Sequence, residues 1–187
     1  MKREPNMKEP DQKMIITGIF DASRDLVWKA WINPDLVKEW WGPKDFTAPM
    51  IQIDFREGGK YLYCMHGPKG TEFDKDFWNA GIFKEIVPMK KIVSTDFFSD
   101  EKGNKVDPIV YGMDPKYPKE VEVIVTFDDV LGDQTKLTIT YPRPKLDAAF
   151  DAMKNSGMET GWNQSFDKLE KTLSSSEIMC KTVCERR

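Results

Sequence analysis

Five apolar residues near the end of the chain, Met158, Trp162, Phe166, Leu169 and Leu173, step by four, four, three and four positions. That spacing lays one apolar stripe along an α-helix, with Asp167, Lys168, Glu170 and Lys171 on the opposite side. A helix with one apolar face must bury it, and the segments before it supply the partner. Between Ile51 and Tyr141 the apolar period is two. Ile51, Ile53 and Phe55 alternate with Gln52 and Asp54, and Tyr61, Tyr63 and Met65 share a face opposite Leu62 and Cys64. Val121, Val123, Val125 and Phe127 then pair across a short polar turn with Leu137, Ile139 and Tyr141, which predicts a hairpin. Together these patterns predict an α+β domain, a curved antiparallel sheet of about six to seven strands wrapped around a long C-terminal helix.

The other elements follow from local signals. Met14 to Phe20 reads as a first strand. Two short helices come after it, one with Ser23 as N-cap and a stripe of Leu26, Val27, Ala30 and Trp31, the other opened by Asn33-Pro34. The second carries Leu36, Val37, Trp40 and Trp41 and is stopped by Gly42-Pro43. Gly58-Gly59 and residues 66–72 read as turns, and Trp78–Val87 and Ile92–Phe98 as strands separated by Pro88. The final helix can extend upstream to Leu146 through Ala149, Phe150 and Met153, with Gly157 weakening it by roughly 1 kcal/mol. Residues 99–118 break the rhythm with Pro, Gly and Asp. A structureless stretch of this length is often a lid or binding loop, although a surface excursion is the more ordinary reading. Residues 1–12 and 174–187 read as tails, the first of them disordered, which leaves 13–173 as one domain.

Composition narrows the function classes. Charges are mixed along the chain, the formal net charge is −3, and no basic stripe is present, so nucleic acid is not an expected partner. No apolar run reaches the ~18 residues of a membrane span, and the polar N-terminus lacks the apolar stretch of a signal peptide. Three cysteines, Cys64, Cys180 and Cys184, form no CxxC and favour a reducing cytoplasm over a disulfide framework. Six Trp and eleven Phe in a chain of mean hydropathy −0.56 point to a large core or an apolar pocket.

The order of elements, together with particular segments, resembles the family of activators of the heat-shock-protein-90 ATPase. That family lies within the START/SRPBCC, polyketide-cyclase-like and Bet v-like superfamily. Residues 23–43 (SRDLVWKAWINPDLVKEWWGP) carry its Val-Trp-x-Ala-Trp helix, its Asn-Pro helix start and its Trp-Trp-Gly-Pro ending. Residues 55–61 (FREGGKY), Glu85-Ile86-Val87-Pro88 before Lys91-Ile92-Val93, and Gly161-Trp162 before Leu169 resemble further segments of it. The resemblance covers about residues 13–173, and the 99–118 insertion is longer than the hairpin it leads one to expect. It implies the helix-grip fold and, by analogy with the superfamily, a cavity between sheet and terminal helix. On that analogy Tyr61, Tyr63, Trp78, Phe83, Trp162 and Phe166 are the candidate lining residues, though each could equally fill a core.

No catalytic constellation or cofactor motif is recognisable. His66 is the one histidine and stands beside a Gly-Pro turn, where an exposed histidine is ordinary. Cys64 lies two residues away on the same predicted face and could form a thiolate pair with it, but a strand cysteine is more often a small buried hydrophobe. Asp96 is a polar anchor if it faces inward. Phe97 and Phe98 are both apolar and leave its direction open, and a solvated, outward Asp is the default. The sequence therefore favours non-enzymatic binding of a small apolar, aromatic or lipid-like molecule, with His66 and Asp96 as possible polar anchors and no cofactor or metal. The resemblance implies a co-chaperone acting in the stress response on a heat-shock chaperone as one alternative. A cyclase- or hydrolase-type enzyme using the same cavity is another.

Overall fold

A computed structural model of the protein describes residues 13–175, in which the period-two segments form one seven-stranded, curled antiparallel sheet. The strands are β1 (Met14–Phe20), β2 (Thr47–Ile53), β3 (Lys60–His66), β4 (Asp76–Val87), β5 (Lys91–Phe98), β6 (Val121–Val130) and β7 (Gln134–Tyr141). Strands β2 to β7 form a meander, and β1 closes the far side by pairing with β7, so the order is β1-β7-β6-β5-β4-β3-β2. The helix-grip α+β fold is the one implied by the resemblance. Of the expected tails, 1–12 and 174–187, residues 1–12 and 176–187 lie outside the described residues, and Ser174 is the C-cap of the last helix. Among those described, no helix is long and apolar enough to cross a membrane.

Helices α1 (Arg24–Ile32) and α2 (Pro34–Trp40) follow β1. Asn33 caps α2 as its sequence predicts, its Oδ1 accepting the Asp35 amide at 2.9 Å. Ser23 occupies the N-cap position of α1, but its side chain makes no capping bond; only its carbonyl receives the Leu26 and Val27 amides. Of the tryptophan pair at the end of α2, Trp40 is the buried one, its Nε1 donating to the Ala30 carbonyl at 2.9 Å. Trp28, which the stripe of α1 omits, is buried too and packs edge-on against Phe55 and Phe127.

Gly157 does more than weaken the C-terminal helix. It adopts φ of 78° and divides the pattern into α3 (Asp147–Lys154) and α4 (Met158–Leu173). Leu169 and Leu173 are buried under α4, which packs chiefly on α2, α1 and the edge strand β1. The approach to β1 needs Gly18, because a Cβ there would come within 2.9 Å of the Phe166 ring. The stripe therefore seals the rim of the sheet and leaves the inner faces of the middle strands less directly covered.

The segment expected to be structureless is ordered by its own hydrogen bonds. Ser99 bridges to Lys105, Asp100 accepts the amides of Lys102 and Asn104, and Asp107 caps a 3-10 helix at Pro108–Tyr111. Tyr111 donates its hydroxyl to the Ser99 carbonyl at 2.7 Å and accepts the Trp78 amide of β4 at 3.3 Å, which ties the excursion to the sheet.

One side chain holds α4 to the opposite wall. Lys168 Nζ lies 3.2 Å from the Trp41 and Gly42 carbonyls and 3.0 Å from the Phe46 carbonyl. Partial burial lowers its pKa, yet three carbonyl acceptors match the three N–H donors of an ammonium. Lys168→Met should therefore lower stability by about 1–3 kcal/mol, because the acceptors lose their donor. Lys171→Met, on the exposed face of the same helix, should leave the thermal midpoint nearly unchanged; calorimetry of both variants checks the pair.

Candidate functional site

The inner faces of the middle strands and the helices that bridge them enclose a cavity of about 290 Å³. Tyr61, Tyr63, Trp78, Phe83 and Trp162 contribute to its lining, and so does Asp96. Trp41 from the end of α2 and Met113 and Tyr117 from the 99–118 excursion complete the walls. The rings brace one another: Tyr63 is 4.8 Å from Tyr61 and 4.7 Å from Trp41, and Trp162 stacks on Trp31 at 5.9 Å. Trp162 Nε1 also donates to the Tyr141 hydroxyl at 2.8 Å, which fixes the indole plane.

Phe166 does not line this cavity. One turn beyond Trp162, α4 has tilted onto β1, and Phe166 meets Phe20 edge-on at 5.5 Å in the packed rim. His66 lies outside the lining as well. Its Nδ1 is 2.7 Å from Asp76 Oδ1 and its Nε2 3.2 Å from Asp74 Oδ1, while Asp74 Oδ2 accepts the Gly70 amide. The histidine thus pins the turn after β3. Cys64 is buried on the same strand, where desolvation and the neighbouring Asp76 carboxylate push its thiol up to about 12. Such a thiol holds its proton at neutral pH and gives no thiolate pair with His66. Among the described residues, no group of three or more His, Cys, Asp or Glu side chains is arranged to hold a metal ion.

Asp96 faces inward, against the default reading of the sequence. Ile92, Ser94, Asp96 and Phe98 alternate along β5 and all line the cavity, which leaves Phe97 on the outer face beneath the Lys105 ammonium, 4.7 Å away. An outward Phe next to an inward Asp is the signal that the paired phenylalanines hid. Asp96 Oδ1 accepts from Asn79 Nδ2 at 2.8 Å and lies 2.8 Å from the Tyr61 hydroxyl, which is also 2.8 Å from the Thr95 carbonyl. Burial raises the Asp96 pKa above the ordinary carboxylate value despite these two hydrogen bonds. It also raises Tyr61, Tyr63, Tyr117 and Tyr141, so these phenols stay protonated.

The cluster depends on Gly81. The β4–β5 ladder runs Asn79–Phe98, Ala80–Phe97 and then Phe83–Ser94, passing over Gly81 and Ile82. There the Thr95 carbonyl and the Tyr61 hydroxyl crowd the Gly81 α-carbon, and a Cβ would lie 1.9 Å from the former and 2.5 Å from the latter. Thr95 Oγ1 accepts the displaced Ile82 amide at 3.2 Å. Asn79, Ser94, Tyr117 and Tyr141 are lining residues that the sequence reading did not select. The alternation of β6 and β7 already pointed Tyr141 inward, but nothing in the sequence marked Asn79 or Tyr117.

The two carboxylates beside His66 raise its pKa above the ordinary value of 6.5, the Asp76 hydrogen bond contributing most. The pairing therefore stabilises the fold fully below that ordinary value and ceases to do so as pH rises through the folded midpoint. Because the chain has one histidine, an NMR titration should show a single imidazole midpoint above 6.5 that returns towards it in an Asp74→Asn, Asp76→Asn variant.

The sequence profile of the activator of Hsp90 ATPase homolog 1-like proteins matches residues 21–174. No curated protein sequence matches the chain. Among solved structures, a protein from Arthrobacter aurescens is 27% identical with a TM-score of 0.71, the alignment covering 87% of this chain and 86% of that one. One from Staphylococcus epidermidis is 26% identical with a TM-score of 0.64, covering 89% of this chain and 92% of that one. An AHSA1-like protein from Aeromonas hydrophila shares the fold at 18% identity and a TM-score of 0.59, over 89% of this chain and 95% of its own. With a family profile spanning all but the first strand of the described domain, the chain belongs to the activator of Hsp90 ATPase homolog 1-like family.

Proposed function

We propose that this protein is a binding module whose cavity takes a small apolar or aromatic molecule, without catalysis. The observation that carries the reading is the cavity of about 290 Å³ lined by Trp and Tyr rings around one carboxyl group. Ligand sites of ~300–1,000 Å³ commonly combine apolar walls with a few polar groups that fix orientation. At the lower end of that range the space suits a compact ring system better than a long acyl chain or a sterol. The 99–118 excursion, which supplies Met113 and Tyr117, is the natural route of entry because its local hydrogen bonds can open without breaking the sheet.

A second reading rests on the family's own description, activation of a chaperone ATPase. It needs a protein surface rather than a cavity. Retention by a chaperone of that class in a pull-down, unaffected by filling the cavity, favours it over the first.

A thermal-shift screen with compact aromatic molecules tests the cavity. A ligand at about 100 times its Kd should stabilise the domain by ~2.7 kcal/mol, a shift of roughly 5–10 °C at this size. Val123→Phe places a ring in the lining from the inner face of β6 and should abolish the shift while the ligand-free protein stays folded. The absence of any saturable shift across the panel, or a shift that Val123→Phe leaves intact, would remove the proposal.

A further inference from the structure

Among the described residues, Asp96 is the one acidic side chain in the cavity lining, and no lysine, arginine or histidine accompanies it there. A carboxylate in such a place lacks the partner that normally compensates its burial. The hydrogen bonds around it favour the neutral acid. Tyr61 has one hydroxyl proton but lies at 2.8 Å from two oxygens, the Thr95 carbonyl and Asp96 Oδ1. With Asp96 ionised, that proton serves one of them and the other faces a lone pair at hydrogen-bond distance. With a proton on Oδ1, Asp96 donates to Tyr61, Tyr61 donates to Thr95, and Asn79 Nδ2 still donates to Oδ1. Every contact is then satisfied. The remaining oxygen, Oδ2, accepts no hydrogen bond from the described residues, and Asp96 keeps accessible surface although it lies deep in the domain. Since it lines the cavity, that surface opens onto it.

Resting on the cavity-binding reading above, we propose that the ligand is a compact, uncharged aromatic molecule bearing a hydroxyl or N–H group, and that this group donates its hydrogen bond to Asp96 Oδ2. A neutral donor leaves the Thr95–Tyr61–Asp96–Asn79 chain as it stands. An ammonium would ionise Asp96 and force Tyr61 to turn its proton away from the Thr95 carbonyl. A ligand offering only an acceptor finds no donor at Oδ2. The same chain fixes the carboxyl plane, so Oδ2 selects where on the ring the donor must lie.

Three probes of one shape separate the possibilities: 2-naphthol, 2-methoxynaphthalene and naphthalene, titrated calorimetrically against the full chain, with 2-naphthylmethylammonium as the charged control. The expected result is binding of 2-naphthol about tenfold tighter than its methyl ether, the worth of one buried hydrogen bond. Asp96→Leu should reduce that preference to about twofold or less. Asp96→Asn should keep most of it, since an amide can donate to Tyr61 and still turn its carbonyl oxygen to the cavity once the Asn79 amide flips. Should Asp96→Leu fail to fold, the naphthol-to-ether ratio in the wild-type and Asp96→Asn proteins still decides. Equal, saturable binding of naphthol and ether would overturn the donor site while leaving the cavity reading intact. Tightest binding of the ammonium would overturn the neutral donor. Binding of no probe at all would overturn both readings together.

Discussion

The rest of the structure depends on where the terminal helix touches the sheet. A curled antiparallel sheet with one apolar face must be covered, and α4 carries the stripe to do it. The helix is drawn to the edge: Gly18 lets Phe166 settle on β1, and Lys168 ties the other flank to the carbonyls of residues 41, 42 and 46. Held at both margins, α4 bridges the concave face instead of lying in it. The enclosed space follows from that geometry, and so does the division of labour along the stripe, with Trp162 at the space and Phe166, Leu169 and Leu173 in packed core.

Burial makes polar groups in such a space costly unless they hydrogen-bond to one another, and most of them here do. The break in the β4–β5 ladder frees the Thr95 carbonyl, and Tyr61 reaches across from β3 to take it up. Asp96 and Asn79 extend the chain to neighbouring strands, so β3, β4 and β5 are linked by side chains where the backbone ladder lapses. Gly81 is the condition for all of this. The residue that weakens the strand locally makes room for the group that reconnects it.

The sequence carried the frame better than the site. Periods of two and 3.6 are set by which side chains must be buried, and that demand is written along β6, β7 and α4 with few exceptions. The errors fall where a local signal competes with something distant. Ser23 stands at an N-cap without capping, and Gly157, a mild penalty within a helix, becomes a left-handed junction between α3 and α4. The 99–118 segment looks structureless because its order comes from side chains bonding to nearby backbone, which hydrophobic periodicity does not register. Asp96 was ambiguous for a related reason. Two adjacent phenylalanines satisfy either register, and the choice is made by Lys105, which covers Phe97 from a segment that pairs back onto Ser99. His66 has the chemistry of a ligand anchor, but its neighbours in space, Asp74 in the following turn and Asp76 at the start of β4, claim both ring nitrogens.

The rigidity of the walls bears on what the cavity can discriminate. Its rings touch at centroid distances of 4.7–5.9 Å, several in edge-to-face arrangements, and an aromatic side chain has only two torsions to lose. The rings do not collapse readily around an undersized guest, while Met65, Met113 and Met158 are the adaptable part of the same lining. Where rings form the wall, little ordering entropy remains to be spent on binding, so affinity there is governed by fit and by the few polar contacts available. In an apolar pocket one methylene more or less changes binding only modestly, whereas a buried acceptor left without its donor changes it more. A cavity of this construction therefore sorts molecules first by the presence of a correctly placed donor and only then by size.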